Sequence, residues 1–351
     1  MICLNELQLI AIAPQKIRIY CMLKYDEQQT RVLEQALNRF DSSRTILDSQ
    51  TPYDHQVAGH TKEILCKYNG YILKPLVKPD LFIRELSLYE DFESQYPDDN
   101  EKFMFAKYYG AAQATTQLNG VINYIVLADL TLNCKIPCII DIKMGQQTFE
   151  PTVSENKKIR EKQKYIYQEE IGFRITGLKV FDSRSRSYTI TDKKFGRSLL
   201  PQQVLHGLAL FYYNHTNLRA DVLVIVIDKL QRILSWMLIQ ARYQFYCSSI
   251  LIIYEGDLSS TQDIENTVQV KMIDLAHTIT VDGLIDNGYI HGLRNLIGYF
   301  EQLKEISKTE GEILEEYHRI MELISTPELE DCVYREQLET HGVPESINTF
   351  P

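Results

Sequence analysis

The pattern of apolar and polar positions predicts a β-hairpin in the first third of the chain. Two apolar runs, 64–68 and 71–74, flank the dipeptide formed by Asn69 and Gly70. Asn-Gly between two such runs is the strongest short signal for a two-residue hairpin turn, because both turn positions need a positive φ angle. We therefore expect the two runs to pair as antiparallel strands.

The same patterns predict alternating strands and helices over the rest of the chain. Short apolar runs bounded by polar residues predict strands at 124–127, 137–142, 175–180, 187–190, 248–254 and 268–273. Apolar residues at helical spacing predict helices over 26–39, 79–92, 201–213, 218–241 and 289–307, and the polar segment 154–170 is also helical in pattern. Strands followed by helices, and then a mixed second half, favour an α+β fold with two lobes.

A length of 351 residues supports the division into lobes, because it exceeds that of a typical single domain. We predict an N-terminal extension of unclear role over 1–50, a first lobe with the hinge over 51–130, and a second lobe over 131–307 that carries the catalytic and substrate-binding segments. The polar link 131–135 is a candidate hinge. Beyond it, residues 308–351 form an acidic tail, predicted to be a partly helical appendage.

Charge and composition narrow the classes of function. The formal net charge of -10 argues against a general nucleic-acid or membrane-surface binder, since such proteins usually need a positive field. The seven cysteines show no zinc spacing, which favours reduced thiols. The longest apolar run, 222–227, is far too short to span a bilayer. We expect a cytoplasmic or nuclear protein with no nucleic-acid partner and no integral membrane association.

The strand 137–142 carries the first candidate chemistry. Asp141 and Lys143 lie two positions apart, so their side chains share one face of the strand, and Gly145 follows at a turn. An acid beside a cation suits phosphoryl transfer, with Lys143 neutralising a phosphate while Asp141 orients or deprotonates a hydroxyl. The alternative is a salt bridge on an exposed edge strand, and the motif alone favours that alternative.

Two further acids and a lysine fit nucleotide binding. Asp274 ends an apolar strand, a usual place to hold Mg²⁺ beside nucleotide phosphates, although a turn or helix cap is the commoner role of a single Asp. His277, three residues later, is a candidate anion contact. Lys74 follows a strand, and the next helix carries Glu85, as in protein kinases. Neither a Gly-rich kinase loop, nor a P-loop, nor an H-R-D motif is present.

A row of positive charge follows the D-x-K strand. Lys157, Arg160 and Lys164 fall on one face of the predicted helix 154–170. Like charges in such a row repel one another, and a ligand that carries several phosphates would offset this repulsion. The alternative is a solvated helix face.

Taken in order, these segments resemble the inositol polyphosphate kinase family. The signature P-x-x-x-D-x-K-x-G is met at Pro137, Asp141, Lys143 and Gly145. A serine-containing strand at 248–251 and an I-D-φ strand end at 273–275 accompany it, and the similarity runs from about residue 55 to about residue 307. Within the family, the segments 55–60, 195–199 and 253–256 are most similar to the multikinase branch.

The resemblance implies a two-lobe kinase-like fold, with ATP in the cleft between the lobes and a basic substrate-binding helix. It implies the following ATP-site roles: Lys74 on the α- and β-phosphates, Glu85 bracing Lys74, Leu130 in the adenine hinge 127–130, Asp129 on the ribose, Ser249 beside the nucleotide and Asp274 on Mg²⁺. It implies the following roles at the reaction site: Asp141 and Lys143 at the hydroxyl and the transferred phosphate, and Lys157, Lys164 and His277 on substrate phosphates, with Arg160 on the same helix face.

Three functions follow as hypotheses. The first is an active kinase that uses ATP and Mg²⁺ to phosphorylate inositol tris- and tetrakisphosphates. The second is a kinase that converts inositol hexakisphosphate into a pyrophosphate. The third is a catalytically silent scaffold that binds inositol phosphates, against which the presence of Asp141, Lys143, Lys74 and Asp274 argues. The tail is also a candidate surface for protein partners.

Overall fold

The chain folds into two large sheets covered by helices, which confirms the α+β class. The computed structural model describes residues 7–8, 26–40, 51–58, 65–68, 70–75, 78–96, 102–116, 120–214, 217–257 and 264–337. Most of the predicted extension 1–50 and the end of the tail, 338–351, lie outside these residues.

The first lobe is built on a sheet with the strand order β1-β5-β6-β4-β3-β2. Its strands are β1 (Leu7–Gln8), β2 (Thr51–Pro52), β3 (Cys66–Tyr68), β4 (Tyr71–Pro75), β5 (Tyr108–Thr116) and β6 (Gly120–Ala128). The helices α1 (Glu27–Arg39) and α2 (Pro79–Gln95) pack together, and α1 also packs on β5. The predicted hairpin is confirmed, because Tyr68 pairs with Tyr71 and Gly70 has a φ angle of 82°. Asn69 lies outside the described residues.

The second lobe holds a sheet with the order β12-β11-β7-β8-β9-β14 and a small sheet of β10 and β13. Its strands are β7 (Pro137–Met144), β8 (Phe173–Asp182), β9 (Ser187–Thr191), β10 (Tyr243–Phe245), β11 (Ser249–Glu255), β12 (Gln269–Ile273), β13 (Thr278–Thr280) and β14 (Val333–Gln337). Its helices are α3 (Glu155–Gln163), α4 (Gln168–Ile171), α5 (Lys193–Ser198), α6 (Val204–Tyr212), α7 (Ala220–Ile239), α8 (Ile264–Thr267), α9 (Asn287–Ile306), α10 (Glu310–Ile324) and α11 (Pro327–Glu330). Single 3-10 turns lie at Pro201–Gln203 and Leu275–His277.

The strand β7 lies in the interior of the second sheet, between β11 and β8. Its apolar residues Ile140 and Ile142 are fully buried, since both have 0% exposure. Their burial fixes the register of the strand, because a slip of one residue would turn them to the opposite face. This position excludes the edge-strand alternative for Asp141 and Lys143.

Direct contacts beside the cleft join the two lobes. Phe105 of the first lobe forms a parallel bridge with Met272 of β12, whose backbone N–H donates to the carbonyl of Met104 at 2.7 Å. The Lys271 ammonium donates to the carbonyl of Phe103 at 2.6 Å. Met104 and Met272 are both buried, in a hydrophobic cluster that contains residues of both lobes. The packing therefore sets how the lobes face each other.

Two predicted features differ in detail. The predicted helix 154–170 is split into α3 and α4, because the chain leaves the helix after Gln163 and buries Tyr165. The described part of the tail is not an appendage. Its helix α10 buries Ile320 and Leu323, and β14 pairs with β9 at the edge of the second sheet. The apolar spacing of α10 therefore packs it on the lobe despite its acidic composition, and the domain boundaries themselves stay predictions.

Candidate active site

A lysine of the first lobe meets an acid of the second lobe at the cleft. The Lys74 ammonium, at the end of β4, lies 2.9 Å from Glu85 of α2 and 2.9 Å from Asp274 at the end of β12. The Glu85 carboxylate also accepts from the backbone N–H of Leu275 at 3.3 Å. Burial lowers the pKa of Lys74, but the carboxylates of Asp274 and Glu85 outweigh burial and raise the pKa above its usual value. Lys74 is therefore a permanent cation that links the lobes.

Asp274 combines a strained backbone with an accessible carboxylate. Its φ and ψ angles of 59° and 58° are left-handed, which is uncommon for a residue other than glycine. Such strain clusters at functional sites, where the surrounding structure holds it in place. The carboxylate is 48% exposed. Burial raises the pKa of Asp274, but Lys74, Lys143 and His277 lower it below the usual value. This side chain is thus ionised and open to a ligand.

The donor set at Asp274 fits a magnesium ion that is bound together with phosphates. The described residues contain no group of three or more His, Cys, Asp or Glu side chains placed to hold a metal. Magnesium is usually bound through one or two carboxylates plus water and substrate phosphates, rather than by a full protein cage. The single accessible carboxylate of Asp274 fits this mode of binding.

Asp141 lies in the middle of β7 with its carboxylate near both Asp274 and Lys143. The residue is 6% exposed. The Thr176 hydroxyl lies 2.5 Å from Oδ1 of Asp141 and 2.8 Å from its backbone oxygen. Burial and the charge of Asp274 raise the pKa of Asp141, while Thr176, Ser249 and Lys143 oppose the rise. The buried acid is therefore a better proton acceptor than an ordinary aspartate.

Lys143 reaches the next strand along the sheet. Its ammonium donates to the carbonyl of Cys247 at 3.0 Å, and Cys247 has a left-handed φ angle of 57°. Ser249 lies opposite Lys143 in the pairing of β11 with β7 and is 1% exposed. The sheet thus brings Asp141, Lys143 and Ser249 close together, and their roles in a reaction stay predictions.

The turn after the D-x-K motif is held by hydrogen bonds to both backbone polar groups of Gly145. Gly145, with a φ angle of 94°, donates its N–H to the carbonyl of Gly172 at 2.8 Å and accepts from the Gln168 side chain at 2.7 Å. Arg174 donates to that same Gln168 at 2.6 Å. Burial and the neighbouring Arg197 lower the pKa of Arg174 to about 10. Sequence reasoning missed Gln168 and Arg174, because side-chain contact across separate elements leaves no periodic signal.

The basic helix α3 has no buried residue, and its side chains are exposed or half-buried. Burial raises the pKa of the Cys247 thiol, while the charges of Lys143 and Lys157 lower it, so both ammonium groups lie near this residue. Lys164 follows the last turn of α3 and pairs with Glu161 at 2.5 Å. Arg160 is exposed and donates to the carbonyl of its own helix at Asn156, 3.3 Å away.

His277 belongs to a second charged group at the cleft. Its Nδ1 atom lies 2.6 Å from Glu150, which also binds Arg84 at 2.8 Å. Burial raises the pKa of Glu150, but His277 and Arg84 lower it below the usual value. Sequence reasoning proposed His277 alone and missed Glu150 and Arg84, which hold the ring in place.

Asp129 is placed differently from the other predicted residues. Its carboxylate accepts from the backbone N–H and the hydroxyl of Thr131, at 2.9 Å and 2.6 Å, and pairs with Lys67 at 3.0 Å. Its backbone N–H donates to the carbonyl of Gly70 at 3.0 Å. In this arrangement Asp129 shapes the turn that carries the half-buried Leu130. A ribose contact for Asp129 stays a prediction.

Comparison with known sequences gives one family. A model of the family "Inositol polyphosphate kinase" matches residues 124–301. The chain is 35% identical to the inositol polyphosphate multikinase of Homo sapiens over 259 residues, covering 70% of this chain and 62% of that protein. It is 34% identical to inositol hexakisphosphate kinase 3 of Mus musculus over 203 residues, covering 52% and 51%. The chain thus spans less than two thirds of the length of these relatives.

A comparison with solved structures finds a protein of similar fold. The crystal structure of an inositol phosphate multikinase from S. cerevisiae, in complex with ADP and Mn²⁺, is similar with a TM-score of 0.54 and 24% identity. The match covers 66% of this chain and 98% of that chain. This likeness shows that the two-lobe, kinase-like α+β fold predicted from the sequence is correct.

Proposed function

Because the chain belongs to the inositol polyphosphate kinase family, we propose that it transfers the γ-phosphate of ATP to hydroxyl groups of inositol tris- and tetrakisphosphates. The observation that carries this proposal is the ion bridge across the cleft, where Lys74 lies 2.9 Å from both Glu85 and Asp274. A strand lysine paired with a helix glutamate, beside an acid at a strand end, is the arrangement that kinases use for nucleotide phosphates.

In this proposal the bridge is the nucleotide site. Lys74 binds the α- and β-phosphates, and Glu85 holds the ammonium in position. Asp274 would hold Mg²⁺, which supplies positive charge to the phosphates when it is bound. The S. cerevisiae multikinase was crystallised with ADP and Mn²⁺, which supports a divalent metal and an adenine nucleotide for this chain. Ser249, Leu130 and Asp129 complete the proposed ATP site.

The residues of β7 act on the atoms that react. Asp141 orients the attacking hydroxyl and accepts its proton, a role to which the raised pKa of this buried acid is suited. Lys143 neutralises charge on the transferred phosphate. Because phosphoryl transfer depends mainly on alignment and electrostatic stabilisation, two groups fixed on an interior strand are well placed to act.

The basic helix α3 is the proposed binding surface for the other phosphates of the ring. The proposed ligands of these phosphates are Lys157 on α3 and Lys164 directly after it. Arg160 adds positive charge, and His277 belongs to the 3-10 turn after β12. Each phosphate carries about -1.5 to -2 charges at neutral pH, so several cations are needed to offset one substrate. No residue of α3 is buried, although a ligand at Lys164 would have to compete with the paired carboxylate of Glu161.

An ATP-coupled screen across inositol phosphates, with anion-exchange identification of the products, tests the proposal. We expect Mg²⁺-dependent ATP consumption with tris- and tetrakisphosphates, and a product with one more ring phosphate. A diphosphate product from the hexakisphosphate, with no action on the trisphosphate, would favour the second hypothesis, for which the Mus musculus relative gives some support. Binding of inositol phosphates without ATP consumption would favour the silent scaffold.

The cellular setting of the protein also remains a proposal. None of the helices in the described ranges is both long and apolar enough to cross a bilayer. We retain a cytoplasmic or nuclear location as a prediction, which imaging of a tagged chain would test. We also retain protein partners of the tail as a prediction, restricted to surfaces that α10 and β14 leave exposed.

A further inference from the structure

Thr176 occupies a β-bulge beside the strand that carries Asp141. In the pairing of β7 with β8, Asp141 lies opposite Gly177 and Ile142 lies opposite Ile175, so Thr176 is the extra residue. A bulge adds one residue to a strand and turns its side chain in a new direction. Here the bulge directs the Thr176 hydroxyl onto the acid of the neighbouring strand.

The hydroxyl contacts Asp141 at two acceptors. It lies 2.5 Å from the carboxylate oxygen Oδ1 and 2.8 Å from the backbone oxygen of the same residue. A hydroxyl has one proton to donate, and hydrogen bonds to a charged oxygen are the shorter and stronger ones. We therefore take the carboxylate as the main acceptor.

The backbone of the bulge is itself held in place. Gly177 packs so closely on the first-lobe segment 51–58 that a Cβ atom there would lie 2.2 Å from the carbonyl oxygen of Val57. The backbone of the bulge is therefore in close contact with the first-lobe segment, which restricts its movement in that direction. On the other side of β7, the Ser249 hydroxyl of β11 acts in the same direction as Thr176 and lowers the pKa of Asp141.

We propose that Thr176 is a positioning residue for phosphoryl transfer: its hydroxyl holds Oδ1 of Asp141, so that Oδ2 is aimed at the attacking hydroxyl of the substrate. The inference rests on the proposed kinase function and on the role of Asp141 in it. Thr176 itself does not touch the substrate. Its effect belongs to the rate of the chemical step rather than to substrate affinity.

The test compares two substitutions that differ in the hydroxyl. Thr176→Val keeps the branched shape and removes the donor, and Thr176→Ser keeps the donor. We expect Thr176→Val to lower kcat by about 10-fold to 100-fold, with KM for ATP and for inositol trisphosphate changed by less than about 3-fold. Thr176→Ser should stay within about 3-fold of the unmodified chain in kcat. If the valine variant does not fold, Thr176→Ala carries the same expectation.

A matched control is Thr191→Val, which removes another buried threonine hydroxyl from the same sheet. Thr191 is 1% exposed, and its hydroxyl has no hydrogen-bond partner among the described residues. This variant should retain full kcat. A purely structural role for Thr176 would instead lower the melting temperature and raise KM, and serine would not rescue the rate.

The outcomes separate the two claims. If the unmodified chain shows no ATP-dependent turnover of any inositol phosphate, the proposed function fails. If the unmodified chain turns over and Thr176→Val matches it in kcat, the proposed function stands and the positioning role is overturned. Equal losses in Thr176→Val and Thr191→Val would also overturn it, because the effect would then be one of packing.

Discussion

The strand β7 and the helix α3 carry neighbouring parts of the candidate site on very different supports. In β7, Ile140 and Ile142 are fully buried, and Asp141 is 6% exposed. In α3, no residue is buried, and Ile159 is 52% exposed. The comparison indicates that the groups proposed for chemistry are fixed by the core, while the groups proposed for substrate recognition lie on a surface that the core does not constrain.

The electrostatics of the two regions differ for the same reason. The buried carboxylate of Asp141 needs nearby donors and Lys143 to remain charged, since burial raises its pKa. The cations of α3 are solvated, and salt screens them over about 8 Å at physiological ionic strength. Sequence changes in α3 should therefore alter substrate preference at little cost to stability, whereas changes in β7 should affect activity or folding strongly.

The largest expected effect is that of Asp141→Asn. This variant keeps the shape of the side chain and removes the proton acceptor, so kcat should fall by about 1,000-fold while the fold remains intact. Steady-state kinetics and a thermal melt would measure both quantities. Glu155→Gln, on the exposed first turn of α3, is the control and should retain full activity. An Asp141→Asn variant with normal kcat would remove this residue from the mechanism.

A second expected effect concerns stability and compares two isoleucines. Ile142→Ala empties a buried position of β7, and we expect the free energy of unfolding to fall by about 2–5 kcal/mol. Ile159→Ala changes an exposed position of α3 and should alter it by less than about 0.5 kcal/mol. Urea denaturation of both variants would measure the difference. Equal losses would show that α3 is as strongly tied to the core as β7.

A third, smaller effect is expected from the cations of α3. Lys157→Ala and Lys164→Ala should each raise KM for inositol trisphosphate by about 10-fold, with kcat nearly unchanged, because they remove binding that is equal in the ground and transition states. The exposed Lys162 is the matched control, and Lys162→Ala should change KM by less than about 2-fold. If all three variants behave alike, α3 contributes only general positive charge.

The smallest expected effect is that of Glu161→Gln. Glu161 pairs with Lys164 at 2.5 Å and would compete with the proposed substrate phosphate for that ammonium. The neutral glutamine should lower KM for inositol trisphosphate by about 2-fold at low salt. The effect is small because ion pairs near the surface are weak. Measuring KM at low and high ionic strength would test this, because salt should erase the difference. A rise in KM would indicate that Glu161 orients Lys164 for binding.

Local patterns along the chain predicted the hairpin and the strands β7, β8, β9, β11 and β12, but they did not predict β5 (Tyr108–Thr116). The Asn69–Gly70 turn, the shared face of Asp141 and Lys143, and the strand end at Asp274 each depend on residues close in sequence. The side-chain period of a strand and the φ preference of a turn are local properties, so they can be predicted from the sequence without knowledge of the fold. The roles of those residues came from the family resemblance, because the spacings alone allowed structural alternatives.

The contacts that complete the site could not be predicted in this way. The bulge at Thr176 depends on how β8 pairs with β7, and the partners of His277 come from α2 and the loop before α3. The pairing of Asp129 with Lys67 was also not predicted, and the ribose contact of Asp129 stays a prediction. Each of these contacts depends on packing between segments that are distant in the sequence. Local preferences along the chain therefore do not predict them.

The most direct test of the account is the transfer of labelled γ-phosphate from ATP to inositol trisphosphate by the unmodified chain and by Asp274→Asn. We expect Mg²⁺-dependent labelling of the inositol phosphate by the unmodified chain, and a loss of about 1,000-fold in the variant at unchanged melting temperature. No labelled inositol phosphate from the unmodified chain, or normal labelling by Asp274→Asn, would contradict the proposal that the bridge between Lys74 and Asp274 is the nucleotide site.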